Sequence, residues 1–401
     1  VRAAADSLRA LDLPPASGTL RDAALEVAEI VRNLDADDDV VIAAMLRPLL
    51  DAKIIERESA EKRFGAAAAG LTRELQQLGQ FGLPADWVPE RGLEPGQAEA
   101  LRKMLLAVIG DVRLVVVRLA EQLYRLRSAK SLDGMQQRKL AIEAREVYAP
   151  LANRLGVWQI KWELEDLAFR YLQPLDYKHI AGALKTRRSE REHYIEALKS
   201  KLEAALQGAG VAAAIHGRPK HIYSIWRKMQ RKQLAFEQLF DVRAVRIVVE
   251  SIEDCYAALG VVHALWHYIP DEFDDYIATP KDNEYRSIHT AVIGPDDKSL
   301  EVQIRSRAMD QYAELGVAAH WRYKEGGARD AGYERKIEWV RRVLDPAQST
   351  QFEGDLIERL KGELFADRIY AMTPRGEVVD MPRGATALDF AYQVHTGLGH
   401  R

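Results

Sequence analysis

At 401 residues the chain has room for two or three domains, each with a core of its own. With 47% hydrophobic and 29% charged residues and a net charge of −3, it has the composition of an ordinary globular protein, which excludes wholesale wrapping of nucleic acid and leaves only local basic clusters for polyanions. The single cysteine, Cys255, excludes a disulfide framework and sits in an apolar helical run as a buried, inert thiol. No apolar run approaches the ~20 residues needed to span a bilayer. No signal-peptide pattern opens the chain, so no membrane partner is expected and the cytoplasm is the expected location.

Residues 1–130 predict an all-helical first domain. Apolar residues recur at helical spacing in LRDAALEVAEIVRNL, in DDDVVIAAMLRPLLDAKII and through the long run AEALRKMLLAVIGDVRLVVVRLAEQLYRLR. Breaks fall at Asp35 to Asp39 and in GLPADWVPERGLEPG, which has the proline and glycine density of a surface loop. All ten histidines lie at or beyond His179, so this domain has no imidazole from which to assemble a His/Asp metal-dependent hydrolase. Residues 131–178 predict connecting helices with a break near Gly156, on which Trp158 and Trp162 form a packing stripe. A charged helix, RRSEREHYIEALKSKLEAALQGAG, then stops at glycine before a short strand, AAAIHG.

The stretch Gly217 to Asp241 is strongly two-faced. At about 100° per residue, Lys220, Ser224, Lys228 and Arg231 share one sector, with Ile222, Ile225, Trp226 and Met229 opposite. With Gly217-Arg218-Pro219 before it, this predicts a loop and helix start offering cations and backbone N–H groups to a phosphate; a solvated basic helix is the rival reading. Beyond it the sequence predicts a strand in VRAVRIVVE, a helix in EDCYAALGVVHALW, strands near DDYIA, SIHTAVIG and SLEVQIRS, and a helix in AMDQYAELGVAAHWRYKEG. A third, small domain begins near Leu364, where short β runs alternate with Pro-Arg-Gly turns.

In SLEVQIRS, alternation turns Leu300, Val302 and Ile304 to a core and sets Glu301, Gln303 and Arg305 on the other face, an arrangement that an amphipathic edge strand would also give. Asp241, at the start of a strand, stands where phosphoryl-transfer sites place a Mg²⁺ ligand. The acids Asp271, Glu272, Asp274 and Asp275 are followed closely by Lys281, Tyr285, Arg286 and His289. Carboxylates for a metal, cations for phosphates and a ring for a base are the parts of a nucleotide site.

Taken together, GRPKHIYSIWRKM, FDVRAVRIV, DEFDDYIATPK, YRSIHT, LEVQIRS and AELGVAAHWRYKEG closely resemble the RelA/SpoT family of (p)ppGpp synthetases, in the family's order and through almost the whole chain. The resemblance implies an α+β multidomain chain. A helical HD-like domain (1–130) and connecting helices (131–178) precede a nucleotidyltransferase-like synthetase domain with a mixed sheet (179–345); a linker (346–363) and the start of a β-grasp TGS domain (364–401) follow. It implies transfer of pyrophosphate from ATP to the 3′-hydroxyl of GDP or GTP, with Mg²⁺ as cofactor. By position, Arg218, Lys220, Ser224 and Lys228 match the ATP motif, while Lys281, Asn283, Tyr285 and His289 match the acceptor pocket, with Tyr285 stacking on guanine. Asp241 matches the magnesium ligand, Glu301 the carboxylate that activates the 3′-hydroxyl or shares the metal, with Gln303 beside it; Glu272 and Asp274 are further candidates for the metal. Full-length relatives engage the ribosome and tRNA through C-terminal domains.

Two departures refine the match. Arg47 and Pro48 stand where hydrolysing members carry a His-Asp pair, which together with the acidic EFDD quartet implies a synthesis-only member with a pseudo-hydrolase domain. Glu284 replaces a glycine before Tyr285; a positive φ there would cost about 1 to 2 kcal/mol. A nucleotidyltransferase is the rival enzyme, although Arg243 breaks its expected Asp-x-Asp spacing after Asp241; an RNA- or ribosome-bound adaptor is the non-enzymatic rival.

Overall fold

The structure, a computed structural model, describes residues 18–315 apart from positions 80, 89–90, 187, 219, 234–235, 237–243 and 282. Beyond these it describes residues 357, 368–372, 378–382, 386 and 390–391.

The helical part opens with α1 (Gly18–Asn33) and α2 (Asp38–Asp51), separated at the expected acidic break, where Asp37 caps α2 by accepting from Val40 N at 2.9 Å. Two short helices that the sequence reading did not set apart, α3 (Arg57–Phe64) and α4 (Ala66–Gln77), meet at Gly65 with φ 93°, a geometry that glycine adopts without a Cβ penalty. The long periodic run is not one helix. It breaks into α5 (Pro95–Gly110) and α6 (Val112–Arg127) at extended Asp111, whose carboxylate accepts from Arg113 N at 3.0 Å and so caps α6. Helix α7 (Gly134–Glu143) passes through a π turn into α8 (Ala149–Leu155), and left-handed Gly156 makes the expected break before α9 (Trp158–Leu172). One hydrophobic core runs from Ala24 to Ala168 and takes in Ile357, so the connecting helices through α9 pack into the first core instead of lying outside it.

After α10 (Pro174–Thr186) and α11 (Arg188–Gly208) the chain enters a mixed sheet. In chain order the elements are β1 (Ala213–Gly217), α12 (Ile222–Lys232), β2 (Ala244–Val249), α13 (Ile252–Leu265), β3 (His267–Asp275), β4 (Ile288–Ile293), β5 (Ser299–Ser306) and α14 (Arg307–Leu315). The strand order is β1-β2-β5-β4-β3, with β2 and β5 parallel and the other pairs antiparallel. Strand β5 is therefore internal, which overturns the edge-strand reading of SLEVQIRS: Gln303 and Arg305 are each 1% exposed although both sit opposite the apolar face. Strand β3 also starts earlier than expected, so the DEFDD acids lie inside it: Asp271 and Glu272 fall within a bulge between Tyr268 and Phe273, and Asp274 and Asp275 pair with β4 beyond it.

One face of the sheet, with Val245, Ile247, Ile288, Val302 and Ile304, packs on Leu198 and Leu202 of α11 and on Ala258 and Val262 of α13. Cys255 belongs to this core; burial, followed by Asp254, pushes its thiol up to about 12, and Sγ donates to Ser251 O at 3.3 Å, which agrees with an inert role. On α12, Ile225 packs with Phe169, Ile180 and Phe236. Of the third part, the described residues form a hairpin of β6 (Arg368–Met372) and β7 (Val378–Pro382). Among the described residues no helix is long and apolar enough to cross a membrane.

Candidate active site

The sheet's second face is polar. Because directly paired residues point to the same side, the register sets His216, Arg246, Gln303, His289 and Asp274 in one row that crosses all five strands. Glu301 stands two positions before Gln303 on the same face, flanked in register by Ala244 and Ala291, whose small side chains leave room above it.

Glu301 is the electrostatic centre of this face. Lys220 Nζ lies 3.2 Å and Arg218 Nη1 3.4 Å from its carboxylate, and Gln303 Nε2 donates to it at 2.7 Å. Burial pushes Glu301 up, but Lys220, then Arg218, His289 and the Gln303 amide outweigh it and hold the carboxyl below its ordinary value. The other amide atom of Gln303, Oε1, is buried and has no hydrogen-bond partner among the described residues. His289 is pushed down to about 3, first by burial and against the pull of Glu301, so its ring is neutral; Nε2 is 2.9 Å from Tyr285 Oη.

The ATP-motif residues arrive by a route that periodicity did not foresee. Arg218 follows directly on β1, where its backbone N donates to Ala244 O at 2.9 Å, and Lys220 lies in the loop before α12, not on the helix with Ser224 and Lys228. Helix α12 carries half-buried Ser224, and Lys228 reaches within 4.0 Å of Glu272. Its N-terminus is not open to a phosphate as expected. Asp166 of α9 already accepts from Ile222 N at 3.3 Å and Tyr223 N at 2.8 Å, filling the place that an anion would take.

Among the residues matched to the acceptor pocket, Tyr285 follows Glu284, which adopts the positive φ (63°) that would carry a cost there; Glu284 N donates to Lys281 O at 2.8 Å and Lys281 N to Tyr285 O at 3.2 Å. Lys281 is exposed as a residue, but its ammonium lies 4.1 Å from the Tyr276 ring centre and 5.7 Å from that of Tyr285. This desolvation holds it below its ordinary value despite Asp274. Asn283 is turned inward. Its Nδ2 donates to Asn153 O at 3.3 Å and its Oδ1 accepts from Tyr285 N at 3.3 Å, so its side chain braces this loop against α8. Asp241 lies outside the described residues, and among those described no three His, Cys, Asp or Glu side chains converge on a metal position, so Glu272, Asp274 and Glu301 do not form a common cage.

Trp158 and Trp162 pack against each other with tilted rings 5.6 Å apart, as a stripe should, but they face the site. Trp158 meets Tyr285 edge-on at 5.6 Å; Trp162 stacks on His221 at 4.7 Å and lies 5.6 Å under the Arg218 guanidinium. A cavity of about 440 Å³ opens here, lined among others by Trp162, Arg218, His221 and Arg246. Arg246 escaped the sequence reading; a cation between Val245 and Ile247 in a nearly continuous apolar strand was its only signal. Its guanidinium and that of Arg305 are bound by Glu314 and Asp310 of α14, Arg246 at 2.7 and 3.4 Å and Arg305 at 3.4 and 2.7 Å respectively.

In the helical part, Arg47 is buried within α2 and ion-pairs with Glu121 and, at 3.5 Å, with Asp51, while Arg118 pairs with Glu121 at 2.7 Å. A guanidinium thus stands where the resemblance sets the His-Asp pair of hydrolysing members.

Comparison with known families assigns these parts. Residues 2–158 match the HD domain, residues 217–328 the region found in RelA / SpoT proteins, and residues 369–401 the TGS domain. The chain is therefore a multidomain α+β protein in which a helical HD-type domain precedes a mixed-sheet synthetase-type domain and a TGS segment. It belongs to the RelA/SpoT family. Over 381 residues it is 47% identical to the GTP pyrophosphokinase of Escherichia coli (strain K12), covering 94% of this chain and 51% of that protein. It is also 45% identical over 382 residues to the GTP pyrophosphokinase of Haemophilus influenzae, covering 94% and 51%. A Synechocystis protein described as a probable guanosine-3′,5′-bis(diphosphate) 3′-pyrophosphohydrolase is 41% identical over 379 residues, covering 93% and 49%. The chain spans about half the length of the curated relatives it matches.

Proposed function

We propose that this chain synthesises (p)ppGpp by moving the β,γ-pyrophosphoryl group of ATP to the 3′-hydroxyl of GDP or GTP, with release of AMP. The observation that carries the reading is Glu301: a half-buried carboxylate, kept ionised by two cations of the ATP motif and set on one sheet face with a neutral His289 that bonds Tyr285. The triphosphate takes over Arg218 and Lys220, with Ser224 and Lys228 further along α12. The adenine enters the cavity beside Arg218, Arg246 and Trp162, and the guanine stacks on Tyr285. Relieved of its cations, Glu301 accepts the proton of the 3′-hydroxyl as that oxygen attacks the β-phosphorus; the bond between the β-phosphorus and the α,β-bridging oxygen breaks, and AMP leaves with the electron pair. Gln303, through its Nε2, holds Glu301 in place.

Mg²⁺ takes one or two carboxylates together with phosphate oxygens, and an ionised Glu301 with Asp241 fits that donor set better than an all-protein cage would. Bound there, the ion would neutralise charge on the β- and γ-phosphates. Glu272 and Asp274 would tune metal dependence from outside this pair. We further propose that the HD-type domain has lost hydrolysis, which is supported by the Arg47–Glu121–Arg118 cluster and by the lack of histidine before His179. Contacts with ribosome and tRNA are proposed for a longer protein containing this chain, and the cytoplasm is its proposed location. Incubation with ATP, Mg²⁺ and GDP tests the reaction: release of AMP with a 3′-pyrophosphorylated guanosine supports it, and pyrophosphate with a nucleotidyl adduct supports the rival nucleotidyltransferase.

A further inference from the structure

Helix α12 lacks a cap of its own. His221, at its N-cap position, makes no side-chain hydrogen bond to the first turn, and the free amides of Ile222 and Tyr223 are instead met by Asp166, 56 and 57 residues earlier on α9. The same helix α9 is tied to the helical part through the fork of Glu163 on Arg127, at 2.5 and 2.6 Å, and to α14 through Gln159 and Glu314 at 3.4 Å. Its Trp162 stacks on His221 and underlies Arg218.

We propose that Asp166 is a positioning residue for the donor nucleotide. It docks the first turn of α12 onto α9 and thereby sets Ser224 and Lys228 on the nucleotide face. The proposal rests on the reading of that face as the ATP site. Without the carboxylate, the first turn frays, and the apparent affinity for ATP falls in proportion to the fraction of molecules still docked. Saturating ATP restores docking, so turnover is preserved, and the acceptor, held on the opposite side by Tyr285, is unaffected.

The test uses the whole chain with Mg²⁺ and α,β-methylene-ATP in calorimetry, alongside initial rates and amide hydrogen exchange. Asp166→Ala is expected to weaken binding of the analogue by up to about tenfold, equivalent to about 1.4 kcal/mol. KM for ATP should rise in step, kcat and KM for GDP should stay within about twofold, and the amides of Ile222 and Tyr223 should exchange faster. Asp166→Asn keeps one acceptor oxygen for Tyr223 N and should give an intermediate loss; it carries the test alone should the alanine variant not fold. Unchanged affinity for the analogue, or parallel losses for ATP and GDP, would overturn the proposal. A wild-type chain that binds the analogue but forms no pyrophosphorylated guanosine would overturn the reaction reading and leave the binding comparison intact.

Discussion

Replacing Glu301 with Gln removes one negative charge and leaves volume and most hydrogen bonding in place. In the wild type that charge lies 3.2 Å from Lys220 and 3.4 Å from Arg218. At an effective dielectric of ~20, each such pair interacts by ~5 kcal/mol before desolvation is subtracted, so the carboxylate competes strongly with a triphosphate for the same cations. Two effects follow with opposite signs. The 3′-hydroxyl loses its proton acceptor, and general-base assistance is worth ~10² to 10⁴ in rate, so turnover should fall by that factor. The cations lose their internal partner, so ATP affinity should hold or rise. Chromatographic measurement of AMP release at saturating GDP, with ATP varied, separates kcat from KM. Turnover within about threefold of wild type would refute the general-base argument. Near-normal turnover that requires much higher Mg²⁺ would leave Glu301 with its metal role alone and no role as proton acceptor.

Tyr285→Ala should weaken GDP or GTP binding by about 1 to 3 kcal/mol, on the scale of ring–base stacking, whereas Tyr285→Phe loses only the bond to His289 and keeps most of the affinity; calorimetry with GDP decides. Glu284→Gly should raise stability to denaturant by about 0.5 to 1 kcal/mol, because relief of the positive φ exceeds the added freedom of the unfolded chain; a loss of stability would contradict the strain argument. Arg47→Ala should destabilise the helical part by about 3 kcal/mol by leaving Glu121 half-paired and should not awaken hydrolysis; Mn²⁺-dependent conversion of ppGpp to GDP by the wild-type chain would defeat the pseudo-hydrolase reading. His289, held down to about 3, stays neutral in the folded state while the unfolded chain takes up a proton below about 6.5. Its contribution to stability is therefore intact above that pH and lost as pH falls towards 3; His289→Gln should flatten the pH dependence of unfolding in this window by about one proton.

Local periodicity carried much of the site. Alternation along β5 places Glu301 and Gln303 together because side-chain direction in a strand depends only on neighbours, whereas the positive φ of Glu284 is raised only by the family resemblance, which has glycine at that position. What escaped depends on distant partners. That β5 is internal follows from its pairing with β2, more than 50 residues away, which no alternation reveals. Lys220 reaches Glu301 from a loop, although helical arithmetic sets it on α12, because α12 begins only at Ile222, where Asp166 of a distant helix meets its first amides. Trp158 and Trp162 have the spacing of a packing stripe, and they do pack; only the tertiary fold decides that they also meet Tyr285 and His221.

The most direct test of the central claim is phosphate tracing. The chain is incubated with Mg²⁺, GDP and ATP labelled in turn at the β- and γ-phosphates, and the products are resolved. The account predicts that both labels move together onto a guanosine nucleotide, with one AMP released per transfer. Label emerging as free pyrophosphate with adenylate joined to the acceptor, or a γ-label alone transferred with ADP released, would contradict it.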